Sequence, residues 1–186
     1  ALPLVIPEIT ACMWDTKKQV KTAANAAMKS ALGVIGNKDI EHMQDQILKA
    51  ITTPKEVPEI MHKMAGVTFV QSVESPALAI VVPLLLRGLR EKKIATQRQS
   101  AVIIDNMSKL VDNPLDAAPF LPLLLPALET NADSIADPEA RVITDKAVAQ
   151  LKRLKALADK QLSVRGDLSK LEGEFRKALN VDAAEG

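Results

Sequence analysis

Few side chains here could do covalent or metal chemistry. The only imidazoles are His42 and His62, and the only thiol is Cys12. A metal site needs three or four such ligands converging on one point. These three fall on separate helical segments, so each reads as an ordinary helix residue. Hydrolytic catalysis needs a nucleophile, a base and an orienting acid in one pocket, and two dispersed histidines do not supply that. A phosphate-cradling loop needs G-x-x-x-x-G-K-[ST] between a strand and a helix. Gly33 and Gly36, in GVIG, have neither the lysine nor the strand and read as a helix end. The triplet Arg165, Gly166, Asp167 reads as a helix stop followed by a cap. The residues thus predict no enzymatic site, no cofactor and no metal in this chain.

What remains is charge. Lysines and arginines number 24 against 23 acids, a net charge of +1, so the total implies neither a strongly basic nor a strongly acidic partner. The distribution is uneven. Residues 13–30 hold Lys17, Lys18, Lys21 and Lys29 against Asp15. Residues 87–98 hold Arg87, Arg90, Lys92, Lys93 and Arg98 against Glu91. Residues 112–145 reverse the balance, with Asp112, Asp116, Glu129, Asp133, Asp137, Glu139 and Asp145 facing only Arg141, before Lys152, Arg153 and Lys155 form a last basic cluster. One reading is a solvated face that keeps the molecule soluble; the other is a patch for RNA phosphates or an acidic protein. There is no Tyr, and Trp14, Phe69, Phe120 and Phe175 are the only aromatics. Stacking on single-stranded bases therefore has little to work with. Any RNA contact would be to backbone phosphates, salt-sensitive and weakly sequence-specific. Its candidates are Lys17, Lys18, Lys21, Arg87, Arg90, Lys92, Lys93 and Arg98.

Helix pairs must position these residues. Apolar residues recur at helical spacing in a unit best seen at 75–114. There an apolar helix with Pro83 inside (77–89) meets a basic turn at 90–93 and a second amphipathic helix (95–111). Leu84, Leu85 and Leu89 share one face of the first helix; Val102, Ile103, Met107 and Leu110 share one face of the second. The same pattern predicts helices over 2–13 and 17–34, over 39–52 and 58–70, and over 116–129 and 138–157. Thr16 with Gln19 offers a capping box, Ser75 and Pro76 a cap and first-turn proline, and Asp137, Pro138 and Glu139 a strong helix start. The last apolar residues of the four first helices are Met13, Ile51, Leu89 and Leu128, spaced 51−13 = 38, 89−51 = 38 and 128−89 = 39. VPLLL at 82–86 likewise precedes LPLLL at 121–125 by 39 residues. A two-helix unit near this period is the signature of HEAT or armadillo repeats. The kinking proline and two helices per unit favour HEAT.

The expected fold is therefore an all-α solenoid over 1–157, with units at 1–36, 37–74, 75–113 and 114–157. A short polar linker over 158–165 should lead to a terminal helix with Leu168, Leu171, Phe175 and Leu179 on one face and a frayed end from Asp182. That helix would cap the stack or open a following helical bundle. No stretch approaches the roughly 18 apolar residues of a membrane span, and one cysteine excludes an internal disulfide and fits a reducing compartment. The opening ALPLVIPEIT lacks a basic leader and begins mid-pattern, which predicts a piece of a longer protein.

Four strings go beyond generic repeat periodicity: MWDTKKQVK (13–21), NKDIE (37–41), SAVIIDNM (100–107) followed by KLV (109–111), and IADPEAR (135–141). Over 2–154 the chain resembles the amino-terminal HEAT-repeat domain of the translation elongation factor three family, a likeness that fades after Leu157. The resemblance implies a cytoplasmic parent of the ABC ATPase type, with ATP and magnesium bound at two cassettes outside this segment. It also implies ribosome binding through small-subunit rRNA and proteins, contacts with other domains of the parent, and ATP-driven release of deacylated tRNA from the exit site. No membrane or DNA partner is implied. The nearest alternatives are the scaffold that coactivates the amino-acid-starvation kinase, which TFV (68–70) and 84–90 would also suit, and a purely structural interaction solenoid.

Overall fold

The computed structural model describes the backbone of residues 2–182, and the side chains within that span except those of residues 3 and 172–182. It is all-α, with no strand among the described residues. The ten α-helices are α1 (Leu2–Cys12), α2 (Lys18–Gly33), α3 (Lys38–Glu41), α4 (Gln44–Thr52), α5 (Val57–Ala65), α6 (Ser75–Leu89), α7 (Ile94–Lys109), α8 (Pro114–Ala117), α9 (Leu121–Ser134) and α10 (Pro138–Asp182). They form four units built on the pairs α1–α2, α4–α5, α6–α7 and α9–α10. From unit two onward the second helices stack in order, α5 on α7 and α7 on α10, whereas α2 packs on α4, and α6 lies against α4 and α9. Unit one also reaches unit three directly, because α1 packs on α6. One apolar cluster runs from Ile6 to Ala158 and includes Met28, Ile47, Met61, Leu85, Ile103 and Leu151, all nearly inaccessible to solvent.

The most enclosed pair is α6–α7. Ala77 through Val82, with Leu84, Leu85, Gly88 and Leu89, are buried along α6. In α7 the buried face is Thr96, Ser100, Ala101, Ile103, Ile104, Met107 and Ser108, whereas Val102 and Leu110 are only half-buried. A helix with neighbours on several sides buries more than one stripe. Small residues let these helices close in. A Cβ added at Gly88 would lie 2.1 Å from Ser100 Oγ and 3.0 Å from Met61 Cγ.

Several boundaries depart from the expected ones. The first helix of unit two is broken at His42 and Met43 into α3 and α4. Met43 is buried there, and Gln44 Nε2 donates to the Leu32 carbonyl at the end of α2 at 2.9 Å. That of unit four is broken at 118–120, where Pro119 and Pro122 each lack the N–H a continuous ladder needs. Pro122 therefore sits in the first turn of α9, and Pro126 is the proline inside it. α5 stops at Ala65 instead of continuing to residue 70.

The segment after α5 is held by the edge between units. Asp39 Oδ2 accepts from the backbone N–H groups of Val70 (2.9 Å) and Gln71 (2.8 Å). Gln71 accepts from Lys38 N–H at 2.7 Å and donates to Gly36 O at 3.1 Å. Val73 N–H donates to Leu110 O at 2.8 Å. These bonds satisfy backbone groups that a longer helix would otherwise have paired.

Capping also differs. Thr16 does not cap α2; Asp15 Oδ1 accepts from Lys17 N–H at 2.7 Å, and Lys17 itself is the N-cap residue, with no side-chain bond. Ser75 is the first residue of α6, behind an extended and uncapped Glu74. Asp137 does cap α10, its Oδ1 accepting from Ala140 N–H at 2.7 Å. The linker expected over 158–165 is helical, as are Arg165, Gly166 and Asp167, because α10 continues unbroken. Nothing in that stretch is a strong breaker, since one exposed helical glycine costs only about 1 kcal/mol. Among the described side chains Ala158 is the last buried one; 159–171 are exposed, including Leu168 and Leu171. The Phe175 and Leu179 side chains and the expected fray at 183–186 lie outside the described residues.

Candidate nucleic-acid interface

The turns inside the four pairs lie on one edge of the solenoid, and Arg87 shows how. Near the end of α6, its Nη1 donates to the carbonyls of Ile51 (3.0 Å) and Ala50 (3.5 Å) in the last turn of α4. Its guanidinium also lies 5.7 Å from the centroid of the Trp14 ring, in the turn after α1. One side chain thus joins the ends of α1, α4 and α6. Asn131 repeats the device in unit four, its Nδ2 donating to Leu89 O at the end of α6 at 3.1 Å. Both satisfy carbonyls that a helix end leaves unpaired.

The eight candidate cations divide on this edge. Arg87 is half-buried and fully engaged between units. Arg98 forms an ion pair with Glu139 at 2.7 Å, tying α7 to α10. Neither is a free surface charge. Lys17, Lys18 and Lys21 at the start of α2, with Arg90, Lys92 and Lys93 in the turn before α7, are exposed and form no ion pair among the described residues.

The N-cap residues at these two helix starts are themselves cations. Lys17 is the N-cap of α2 at φ −77°, ψ 118°, and Lys93 is the N-cap of α7 at φ −82°, ψ 118°. Neither makes a side-chain cap bond, and neither helix has an acid in its first turn. Ser, Thr, Asp and Asn are favoured at that position, and the positive end of the helix dipole disfavours cations. Each site therefore concentrates exposed ammonium groups on unsatisfied backbone N–H groups, a local field that attracts anions.

The turns of units two and four differ. Lys49 pairs with Glu56 at 3.0 Å, and the turn before α10 carries Asp137 and Glu139. Beyond it, Lys152 pairs with Glu129 (2.8 Å) and Lys155 with Asp159 (2.5 Å), which leaves Arg153 of that cluster without a partner among the described residues. Glu59, fully exposed on α5, is held below its ordinary pKa by the hydrogen bond and charge of Lys63, 2.8 Å away. Trp14 is a site residue that charge reasoning passed over. It is about half exposed, and its signal was being the one indole beside a basic turn.

The groups considered for other chemistry stand apart. Cys12 is exposed at the end of α1, and His62 Nδ1 lies 3.0 Å from Gln99 Nε2. Gly33 is the last residue of α2, and Gly36 accepts a side-chain bond from Gln71. A nucleotide phosphate needs such glycines at a helix start, so these residues do not fit a nucleotide or its magnesium ion.

Comparison with known families agrees with this architecture. A model described as "Elongation factor 3/GNC1 HEAT repeat" matches residues 56–162, more than half of the chain, and one described as "EF3 N-terminal HEAT repeat" matches residues 1–28. The chain belongs to the elongation factor 3/GNC1 HEAT-repeat family. It is 51% identical to elongation factor 3 of Phytophthora infestans over 146 residues, covering 78% of this chain and 14% of that protein. It is 46% identical to elongation factor 3A of Saccharomyces cerevisiae over 172 residues, 90% of this chain and 16% of that protein. Against elongation factor 3 of Candida albicans the identity is 44% over 182 residues, 96% and 17% respectively. The chain thus spans about one-sixth of the length of these relatives. No helix among the described residues is long and apolar enough to cross a membrane.

Proposed function

We propose that this HEAT solenoid docks a translation elongation factor on the ribosome, with Lys17, Lys18, Lys21, Arg90, Lys92 and Lys93 meeting rRNA phosphates of the small subunit. The observation that supports this most is the pair of lysine-capped helix starts. Stability alone favours a polar cap there, so the cations are best explained by an anion that they meet. In this reading the parent protein works in the cytoplasm and uses ATP and magnesium at sites outside this chain. Its hydrolysis cycle promotes release of deacylated tRNA from the exit site. The chain contributes placement and no catalysis, and residues 1–157 act as the docking unit.

Co-sedimentation of the chain with ribosomes across a salt series tests the mechanism. Six phosphate contacts predict a slope of log K against log salt of about −4 to −5. Reversing Lys17, Lys18, Lys92 and Lys93 to Glu should lower affinity and flatten that slope by about four contacts' share. Binding that ignores both salt and charge reversal would refute the electrostatic edge. No ribosome affinity at all would leave a structural interaction solenoid as the function.

A further inference from the structure

Beside the turn that ends α6, a cleft of about 560 Å³ opens against α9. That size lies within the range of binding clefts. Its α9 wall carries Pro122, Leu123 and Pro126, all exposed, and Leu123 is 55% exposed between the two prolines. Pro126 has no N–H, so the Pro122 carbonyl has lost its usual helix donor and the wall holds a spare backbone acceptor. Arg90 is the only charged residue of the lining, with Lys92 and Lys93 close by in the chain. Gln97 donates to Glu91 O at 2.7 Å, which fixes its amide and leaves its oxygen as an acceptor. Asn131 bonds Leu89 O, so the two walls are held together at the floor.

We propose that this cleft binds an extended, acidic and apolar peptide segment of a partner protein. A leucine-like side chain covers Pro122, Leu123 and Pro126, a neighbouring carboxylate pairs with Arg90, and peptide N–H groups meet the spare acceptors. The charge complementarity is one-sided in the lining, which holds a cation and no acid, and beside it in the chain Lys92 and Lys93 outnumber Glu91. RNA fits less well, because no aromatic lines the cleft for base stacking and an aliphatic wall gains nothing from phosphate. This site shares Arg90 with the ribosome-docking edge, so a peptide and an rRNA phosphate compete for that cation, while Lys17, Lys18 and Lys21 on α2 lie apart; the peptide reading goes beyond ribosome docking.

The test titrates the 186-residue chain with a fluorescein-labelled peptide of alternating aspartate and leucine, read by anisotropy. Peptides alternating lysine with leucine and aspartate with serine serve as controls, and a mixed-sequence single-stranded RNA as competitor. The aspartate–leucine peptide alone should bind saturably. Arg90→Glu and Leu123→Asp should each weaken it about tenfold or more, whereas Lys17→Glu with Lys18→Glu should leave it unchanged. Both cleft residues are exposed, so circular dichroism and melting should match the parent chain. Absent binding, equal binding of the aspartate–serine peptide, displacement by the RNA at lower concentration than by the unlabelled aspartate–leucine peptide, or indifference to both cleft variants would each overturn the proposal. None of these outcomes bears on ribosome co-sedimentation through α2.

Discussion

Gly88 is where the packing of this solenoid can be tested most sharply. Its backbone stands where α5, α6 and α7 converge, and an added methyl would meet Ser100 Oγ at 2.1 Å and Met61 Cγ and Sδ at 3.0 and 3.1 Å. Real Cβ contacts do not reach 2.1 Å, so Gly88→Ala forces Ser100 to move. Ser100 and Met61 are fully buried, and the Ser100 hydroxyl donates to Thr96 O at 2.9 Å. Overpacking costs about 1–3 kcal/mol and displacing the hydroxyl about 1 kcal/mol. Better helix propensity returns about 1 kcal/mol, leaving a net loss of about 1–3 kcal/mol. Urea unfolding followed by circular dichroism measures it. Ser100→Ala alone should cost less than about 1 kcal/mol, because the Thr96 carbonyl keeps its helical partner. Combined with Gly88→Ala it removes the closest clash, so the pair should recover about 1–2 kcal/mol relative to the sum of the single variants. Additive losses, or a neutral Gly88→Ala, would refute the claim that this glycine sets the spacing of the helices.

Other perturbations separate stability from docking. Leu85→Ala should cost about 2–5 kcal/mol by the same unfolding assay, since Leu85 is 1% exposed and lines the seam between units three and four. Arg87→Lys should not restore what Arg87→Ala loses, about 1–2 kcal/mol in urea unfolding, because only the extended planar guanidinium faces the Trp14 ring while its Nη1 donates to the Ala50 and Ile51 carbonyls. Lys93→Asp should stabilise α7 by about 1 kcal/mol through a proper N-cap while lowering ribosome co-sedimentation. Glu59 should titrate below its usual range in an NMR pH series and return toward it in Lys63→Ala. Because its folded pKa is lowered, the contribution of the Glu59–Lys63 pair is present above the unfolded carboxylate pKa and lost as pH falls through the folded value.

The repeat was legible because burial is periodic: Met13, Ile51, Leu89 and Leu128 mark it in the sequence and all are core residues in the fold. The breaks at His42–Met43 and 118–120 were not, since each depends on a neighbour or on local proline geometry. Gln44 reaching Leu32 O, like Asp39 reaching Val70 and Gln71, is a bond over a span that periodicity does not report. The continuity of α10 past Ala158 escaped for the opposite reason. A polar stretch with no packed face looks like a linker, yet nothing in it stops a helix already propagating from unit four. Among the candidate cations, charge alone could not separate Arg87 and Arg98 from the others. Their partners, the Ala50 and Ile51 carbonyls and the Glu139 carboxylate, lie 36 to 41 residues away, about one repeat, so only the stacking of units brings them together.

The residues that open the helices differ in charge from turn to turn. Asn37, Asn113 and Asp137 each accept a backbone N–H of the helix they open. The two asparagines stand between units, and the aspartate stands at the acidic turn of unit four. Lys17 and Lys93, at the turns of units one and three, make no such bond. A cap at each would stabilise its helix by about 1 kcal/mol, and the fold could accept one, as Asp137 demonstrates at the matching position of unit four. Met43, Glu56, Glu74 and Phe120 also open helices without a side-chain bond, so what sets the turns of units one and three apart is a lysine at the N-cap with no acid in the first turn. A cation placed where the helix dipole disfavours one, repeated at two turns of one edge, is the kind of local departure expected of a functional site. A polyanion resting on that edge would satisfy the free N–H groups and the lysines at once, which a carboxylate or hydroxyl cap would prevent.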